Sequence, residues 1–129
     1  MKQHTNSEQT AKLIELGFEK PKTPIGYSYP AQSEKQQAYE ASLGLGPYLA
    51  TVDQIEFEYA YSIGELIELL PTSVKIKGYD CFLYIGPNVH DGSWNVGYMK
   101  YNVELNQRAT ELIDAVYDMV IILKEEEVI

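Results

Sequence analysis

From Asn106 to Lys124, the apolar residues Ala109, Leu112, Ile113, Val116, Val120 and Leu123 recur at helical spacing. A helix carrying such a stripe must bury it against a second layer, and this requirement limits the folds open to the chain. Ala115, Met119 and Ile122 widen the stripe beyond what one sheet face covers. The surplus width calls for a further cover, either residues 31–59 or an identical helix in a two-fold homodimer. Glu125, Glu126 and Glu127 oppose the helix dipole, which predicts fraying of the last turn.

The layer beneath that helix is legible as strands. "SVKIK" (73–77) alternates, with Val74 and Ile76 inward, and "GYD" (78–80) reads as a turn. "CFLYI" (81–85) is apolar on both faces, as a central strand is. "GPNVHDGS" (86–93) carries Gly-Pro and Asp-Gly turn signals, and "WNVGYMKY" (94–101) places Trp94, Val96 and Tyr98 on one side. Links this short imply an antiparallel meander.

Two shorter helices flank it. Asn6 and Gln9 have the spacing of a capping box, and Gly17 suits a left-handed ending with Phe18 against Leu13. Ser62 and Glu65 form a second box, Tyr61 can staple onto Leu66, and Pro71 stops the helix. Residues 18–30 hold three prolines and a glycine, which predicts an extended connector pinned by Tyr27 and Tyr29. "SEKQQAYEASL" (33–43) reads as a short surface helix, and "GLGPYL" (44–49) as a loop. "IEFEYAY" (55–61) alternates like a half-buried strand. Leu-Ile-acid recurs in "KLIELGF" (12–18), "SIGELIELLP" (62–71) and "ELIDAVY" (111–117). The uneven intervals and differing caps make this helix packing, not a repeat.

The reading is one α+β domain over 1–129, with an insertion or irregular region at 31–59. A small antiparallel sheet of about three strands packs against the long C-terminal helix and the shorter helices. Hydrophobic residues make up 45% of the chain, enough for a core of its own. A lone cysteine, Cys81, excludes an internal disulfide and fits a reducing compartment. The N-terminus lacks an apolar signal region, and the longest aliphatic run, "MVIIL" (119–123), falls far short of a membrane span. These features predict a cytoplasmic protein with no membrane association.

The net charge of −9 is unevenly placed. Residues 1–50 balance, while 51–129 hold fourteen acids against five bases. Such a chain repels a phosphate backbone, so no direct nucleic-acid binding is expected.

No spacing points to a metal, a cofactor or a catalytic set. Cys81 opens an apolar strand, and His90 and Asp91 are neighbours in a turn, so a Cys-His nucleophile reading is weak. There are only two histidines and no calcium-loop pattern. Tyr and Trp, by contrast, are abundant, and they supply contact area at low entropic cost. His90, Asp91, Trp94, Tyr98 and Tyr101 are therefore the candidate partner-binding patch.

"KLIELGFEKPK" (12–22), and "SIGELIELLP" (62–71) followed by a short sheet and then "ELIDAVYDMVIILKEEEVI" (111–129), resemble small proteins encoded by phages and prophages of gut bacteria. The likeness covers about half the chain, in three blocks, with 31–59 outside it. That group has no assigned activity, so the resemblance implies a setting, a mobile-element accessory protein, and assigns no residue a role. The leading functional expectation is a non-enzymatic protein that binds an unidentified protein partner through an acidic, Tyr-rich surface. The alternatives are a small hydrolase using carboxylates or His90, and an acidic DNA mimic.

Overall fold

A computed structural model of the chain describes residues 1–28 and 56–129. The helix expected at 33–43, the loop at 44–49 and the placement of Tyr27 and Tyr29 lie outside what it describes. The chain divides into two compact units, Met1–Lys22 with Ala60–Ile129, and Thr23–Tyr59. In the second, β1 (Thr23–Ser28) pairs with β2 (Glu56–Ala60) as a two-stranded sheet.

The first unit is α+β. Its sheet runs β3 (Ser73–Ile76), β4 (Tyr79–Pro87), β5 (Trp94–Lys100), β6 (Val103–Ala109), each antiparallel to the next. Strand β6 is a correction to the sequence reading, which started the C-terminal helix at Asn106. The sheet has four strands, and α3 spans Leu112–Glu125. Tyr101 and Asn102 form a two-residue hairpin that closes Lys100 on Val103, with Tyr101 at φ 55°. The first hairpin is equally tight. Lys77 (φ 51°) and Gly78 (φ 85°) both adopt left-handed backbone, the signature of a type I′ turn matched to strand twist.

Pairing register sorts the side chains. Val74, Cys81, Leu83, Ile85, Val96, Tyr98 and Leu105 share the inner face. Against it α3 buries Ile113, Ala115, Val116, Met119, Val120 and Leu123. Each of these except Ala115 contributes about 1.5–3 kcal/mol relative to exposure. Helix α2 (Ile63–Leu69) adds Leu66 and packs on α3. At two turns it would not persist alone in water. Of the residues that widen the α3 stripe, Ala115 and Met119 are buried within the chain, while Ile122 is only partly so.

Both capping boxes are present. Asn6 Oδ1 accepts from the Gln9 N–H at 2.8 Å and Gln9 Oε1 from the Asn6 N–H at 3.0 Å, opening α1 (Ser7–Glu15). Ser62 and Glu65 do the same for α2. Gly17 (φ 94°) ends α1, with the Phe18 N–H bonded to the Leu13 carbonyl. The segment before α1 is tied in through buried Thr5. Its hydroxyl accepts from the Tyr61 N–H at 3.0 Å and donates to Thr10 Oγ1, which donates to the Asn6 carbonyl. Lys2 Nζ lies 2.9 Å from Asp114 Oδ1, which also accepts from Gln9 Nε2. Burial opposes ionisation of Asp114, but bonds from Gln9 and Lys2 and the Lys2 charge outweigh it, so its pKa falls.

The end of α3 differs from expectation. The Val128 N–H bonds to the Leu123 carbonyl at 2.8 Å, the Glu127 N–H to that of Lys124, and Ile129 packs on the core. This is the closed ending that usually needs glycine, yet Glu127 holds the left-handed position at φ 58°. Glu127→Gly relieves that backbone and removes a charge opposing the dipole. It is expected to raise unfolding free energy by about 1 kcal/mol, read from urea denaturation.

Candidate functional site

Four surfaces of the first unit carry the polar and aromatic residues outside its core. The loop after β4 and the start of β5 hold three of the sequence candidates. Asp91 Oδ1 accepts from the Ser93 hydroxyl at 2.6 Å and from its N–H at 2.9 Å. Arg108 on β6 reaches across to Asp91 Oδ2 at 2.6 Å and Ser93 Oγ at 2.9 Å. The Ser93 bonds first, then the Arg108 bond and charge, hold the Asp91 carboxyl down at about 2. The exposed His90 gives its backbone N–H to Asn88 Oδ1. Trp94 is half-buried against the core.

The other two candidates lie elsewhere. Tyr98 is 0% exposed, and its hydroxyl donates to the Pro71 carbonyl at 2.7 Å, tying β5 to the chain leaving α2. It belongs to the core and offers nothing to a partner, because its register places it on the inner face under α3. Tyr101 is exposed, but in the β5–β6 turn, at the opposite end of β5 from Trp94. There it meets the Tyr79 ring edge-on at 6.1 Å between centroids. The five residues therefore do not form one patch. Cys81 is buried on the inner face, towards the far end of β4 from the His90 loop, so the two do not pair.

The outer sheet face was not foreseen. Phe82 on β4 and Met99 on β5 are direct cross-strand partners and remain 58% and 48% exposed. Beside them Tyr84 lies across Gly97 to reach β6, its hydroxyl 2.7 Å from Glu104 Oε1 and 2.8 Å from the Asn106 side chain. A Cβ on Gly97 would sit 2.5 Å from the Leu105 carbonyl oxygen and 2.9 Å from Tyr84 Oη. Glycine is thus what lets the ring lie down. Burial first, then the Glu104 bond and charge, push the Tyr84 phenol up. A glycine in mid-strand was the available sequence signal for this close approach.

Two clefts complete the surface. One, of about 230 Å³, is lined by Glu19, Lys20, Lys22, Tyr61, Glu65 and Glu68, with Leu69. One of its carboxylates already serves the backbone: Glu65 accepts from the Ser62 and Lys22 N–H groups. The Tyr61 hydroxyl donates to the Glu19 carbonyl. The other, of about 380 Å³, opens between β3, β6 and the end of α3, with Ile76, Leu105 and Ile122 at its apolar wall and Lys75, Glu104 and Glu126 at its rim. Among the described residues, no three His, Cys, Asp or Glu side chains gather closely enough to hold a metal ion. No helix among them is long and apolar enough to cross a membrane.

The charge is layered. The three helices among the described residues carry seven acids (Glu8, Glu15, Glu65, Glu68, Asp114, Asp118, Glu125) against Lys12 and Lys124. Residues 73–109 carry four bases against three acids. Acidic surface and exposed aromatic surface therefore occupy different layers. In comparisons with protein families, curated proteins and solved structures, nothing matches this chain.

Two measurements check this geometry. Gly97→Ala forces Tyr84 off β6 and strains the Leu105 carbonyl, and is expected to destabilise by about 2–3 kcal/mol in urea. Burial pushes the Tyr98 phenol up to about 12. A raised folded pKa stabilises fully below the unfolded value near 10, and that contribution is lost as pH rises through the folded one. The urea midpoint should therefore fall between pH 10 and 12, less steeply in Tyr98→Phe.

Proposed function

We propose that the chain is a non-enzymatic protein-binding module that engages its partner through the outer face of the β3–β6 sheet. The observation that carries this reading is the Phe82–Met99 pair, two large apolar side chains left side by side on a face to which no element of the first unit contributes cover. A sheet packed on one side ordinarily turns polar residues outward, so an apolar pair there marks a surface for contact. The pinned Tyr84 beside it supplies a rigid aromatic at low entropic cost. The Tyr79–Tyr101 pair adds exposed aromatic surface at the hairpin ends, beyond the outer face itself. The acidic helical layer favours solubility and encounter with a basic partner. The resemblance of its helical blocks to phage and prophage proteins makes a bacterial host or phage protein the natural partner, and the bacterial cytoplasm the natural setting.

The test compares the wild-type chain with a Phe82→Ser/Met99→Ser double variant as baits in a native bacterial lysate. Both side chains are largely exposed, so the variant should keep the wild-type circular dichroism. A partner held by the wild type and reduced at least roughly tenfold on the variant supports the reading. Equal recovery on both baits, or chaperones alone, overturns it.

A further inference from the structure

Strand β6 is an edge of the sheet. Its hairpin closes Lys100 on Val103, so Val103, Leu105, Gln107 and Ala109 are the residues that exchange backbone bonds with β5. The first hairpin follows the same parity. Ile76 closes on Tyr79, and two steps beyond Val74 the Leu83 N–H bonds to the Thr72 carbonyl at 3.0 Å. The N–H and C=O groups of Glu104, Asn106 and Arg108 therefore point away from β5. Among the described residues, no backbone group of these three bonds to anything on that side. At Glu104 and Leu105 the 380 Å³ cleft lies alongside, with Val74, Lys75 and Ile76 of β3, Lys77 and the end of α3 on its other walls, so no strand is paired at this end of the edge.

An open edge invites another strand, and the order of charges along this one specifies which. Glu104, Asn106 and Arg108 are spaced evenly on the outer face, with opposite charges on either side of Asn106. Run antiparallel against itself about Asn106, the strand sets Glu104 opposite Arg108 twice and Asn106 opposite Asn106. All seven residues are then matched, and all three outward-facing backbone positions fall in hydrogen-bonding pairs. An axis at Glu104 or at Arg108 would put like charges face to face. An axis at Leu105 or Gln107 faces a charge with Asn106. Atoms for the new ion pairs are at hand. Glu104 uses Oε1 for Tyr84 and leaves Oε2, and Arg108 uses Nε and Nη2 for the loop and leaves Nη1.

We propose that β6 pairs with β6 of a second copy of this chain, antiparallel about a two-fold axis at Asn106, joining two four-stranded sheets into one. This contact is separate from the outer-face reading and does not rest on it. It also differs from a dimer through the C-terminal helix, since the contact lies on β6.

Charge exchange tests it, with mass in solution measured by sedimentation across a concentration series. The wild type should be a dimer. Glu104→Arg alone and Arg108→Glu alone each place like charges opposite one another at both symmetric positions. Each should weaken association by roughly a hundredfold or more. An equimolar mixture of the two single variants restores opposite charges at every position and should form the heterodimer. The chain carrying both substitutions should dimerise with itself. Circular dichroism on each variant separates lost association from lost folding. If Arg108→Glu disturbs the loop at Asp91, Glu104→Arg still decides the question alone. A wild type that stays monomeric throughout, a dimer that survives both single reversals, or a mixture that fails to associate would each overturn the proposal.

Discussion

The burial of α3 on the inner face of the meander is the contact on which the rest of this structure depends. Ile113, Val116, Met119, Val120 and Leu123 meet Val74, Cys81, Val96 and Tyr98 there. Helix α2 is too short to stand without it, and the segment before α1 is held by Thr5 and Lys2, which bond to Tyr61 and Asp114 at the margins of the same core. Core formation also decides what is left over. With the inner face consumed by packing, the surfaces free for contact are the outer face, its edge strands and the acidic helical layer.

Those leftovers are not equivalent. The described helices hold seven acids against two bases, in a form suited to solvation. The sheet is close to neutral and holds the ordered features: the Phe82–Met99 pair, Tyr84 across Gly97, and the Asp91–Ser93–Arg108 clasp that fixes the loop to β6. Each rests on a cross-strand register, so each is rigid to the extent that the meander is. Rigid aromatic and apolar groups on a pre-formed face lose little entropy on association. For that reason the interaction reading rests on the sheet more than on the acids.

Much of this was legible in the sequence where local chemistry is self-sufficient. Asn6 with Gln9, Ser62 with Glu65, and Gly17 before Phe18 identify helix ends because a cap needs only neighbours a few residues away. Val74 and Ile76 declared their inner face by alternation, and Trp94, Val96 and Tyr98 declared that they share one side. Strand β6 was hidden because "VELNQRA" is made largely of good helix formers, and Asn106 looks like a cap at the head of the stripe that follows. Pairing with β5 overrides that propensity, and only the tight Tyr101-Asn102 turn hinted at it. Misreading β6 also concealed the Tyr84 bridge and the charge order of Glu104, Asn106 and Arg108, since both exist only once the strand is in register. Tyr98 was misjudged as a contact residue because tyrosine is amphipathic, and whether its ring faces solvent or core depends on which side α3 takes.

The central claim is that α3 fixes a four-stranded meander whose last strand pairs on one side only. Hydrogen exchange of individual backbone amides in very dilute solution, where copies are apart, measures this most directly. Alternation along β6 is the predicted result, with Val103, Leu105 and Gln107 protected nearly as well as β5, and Glu104, Asn106 and Arg108 exchanging like loop amides. Uniform protection of all six, or uniform exposure, would contradict the account, the first by showing the edge already covered and the second by showing that no such strand forms.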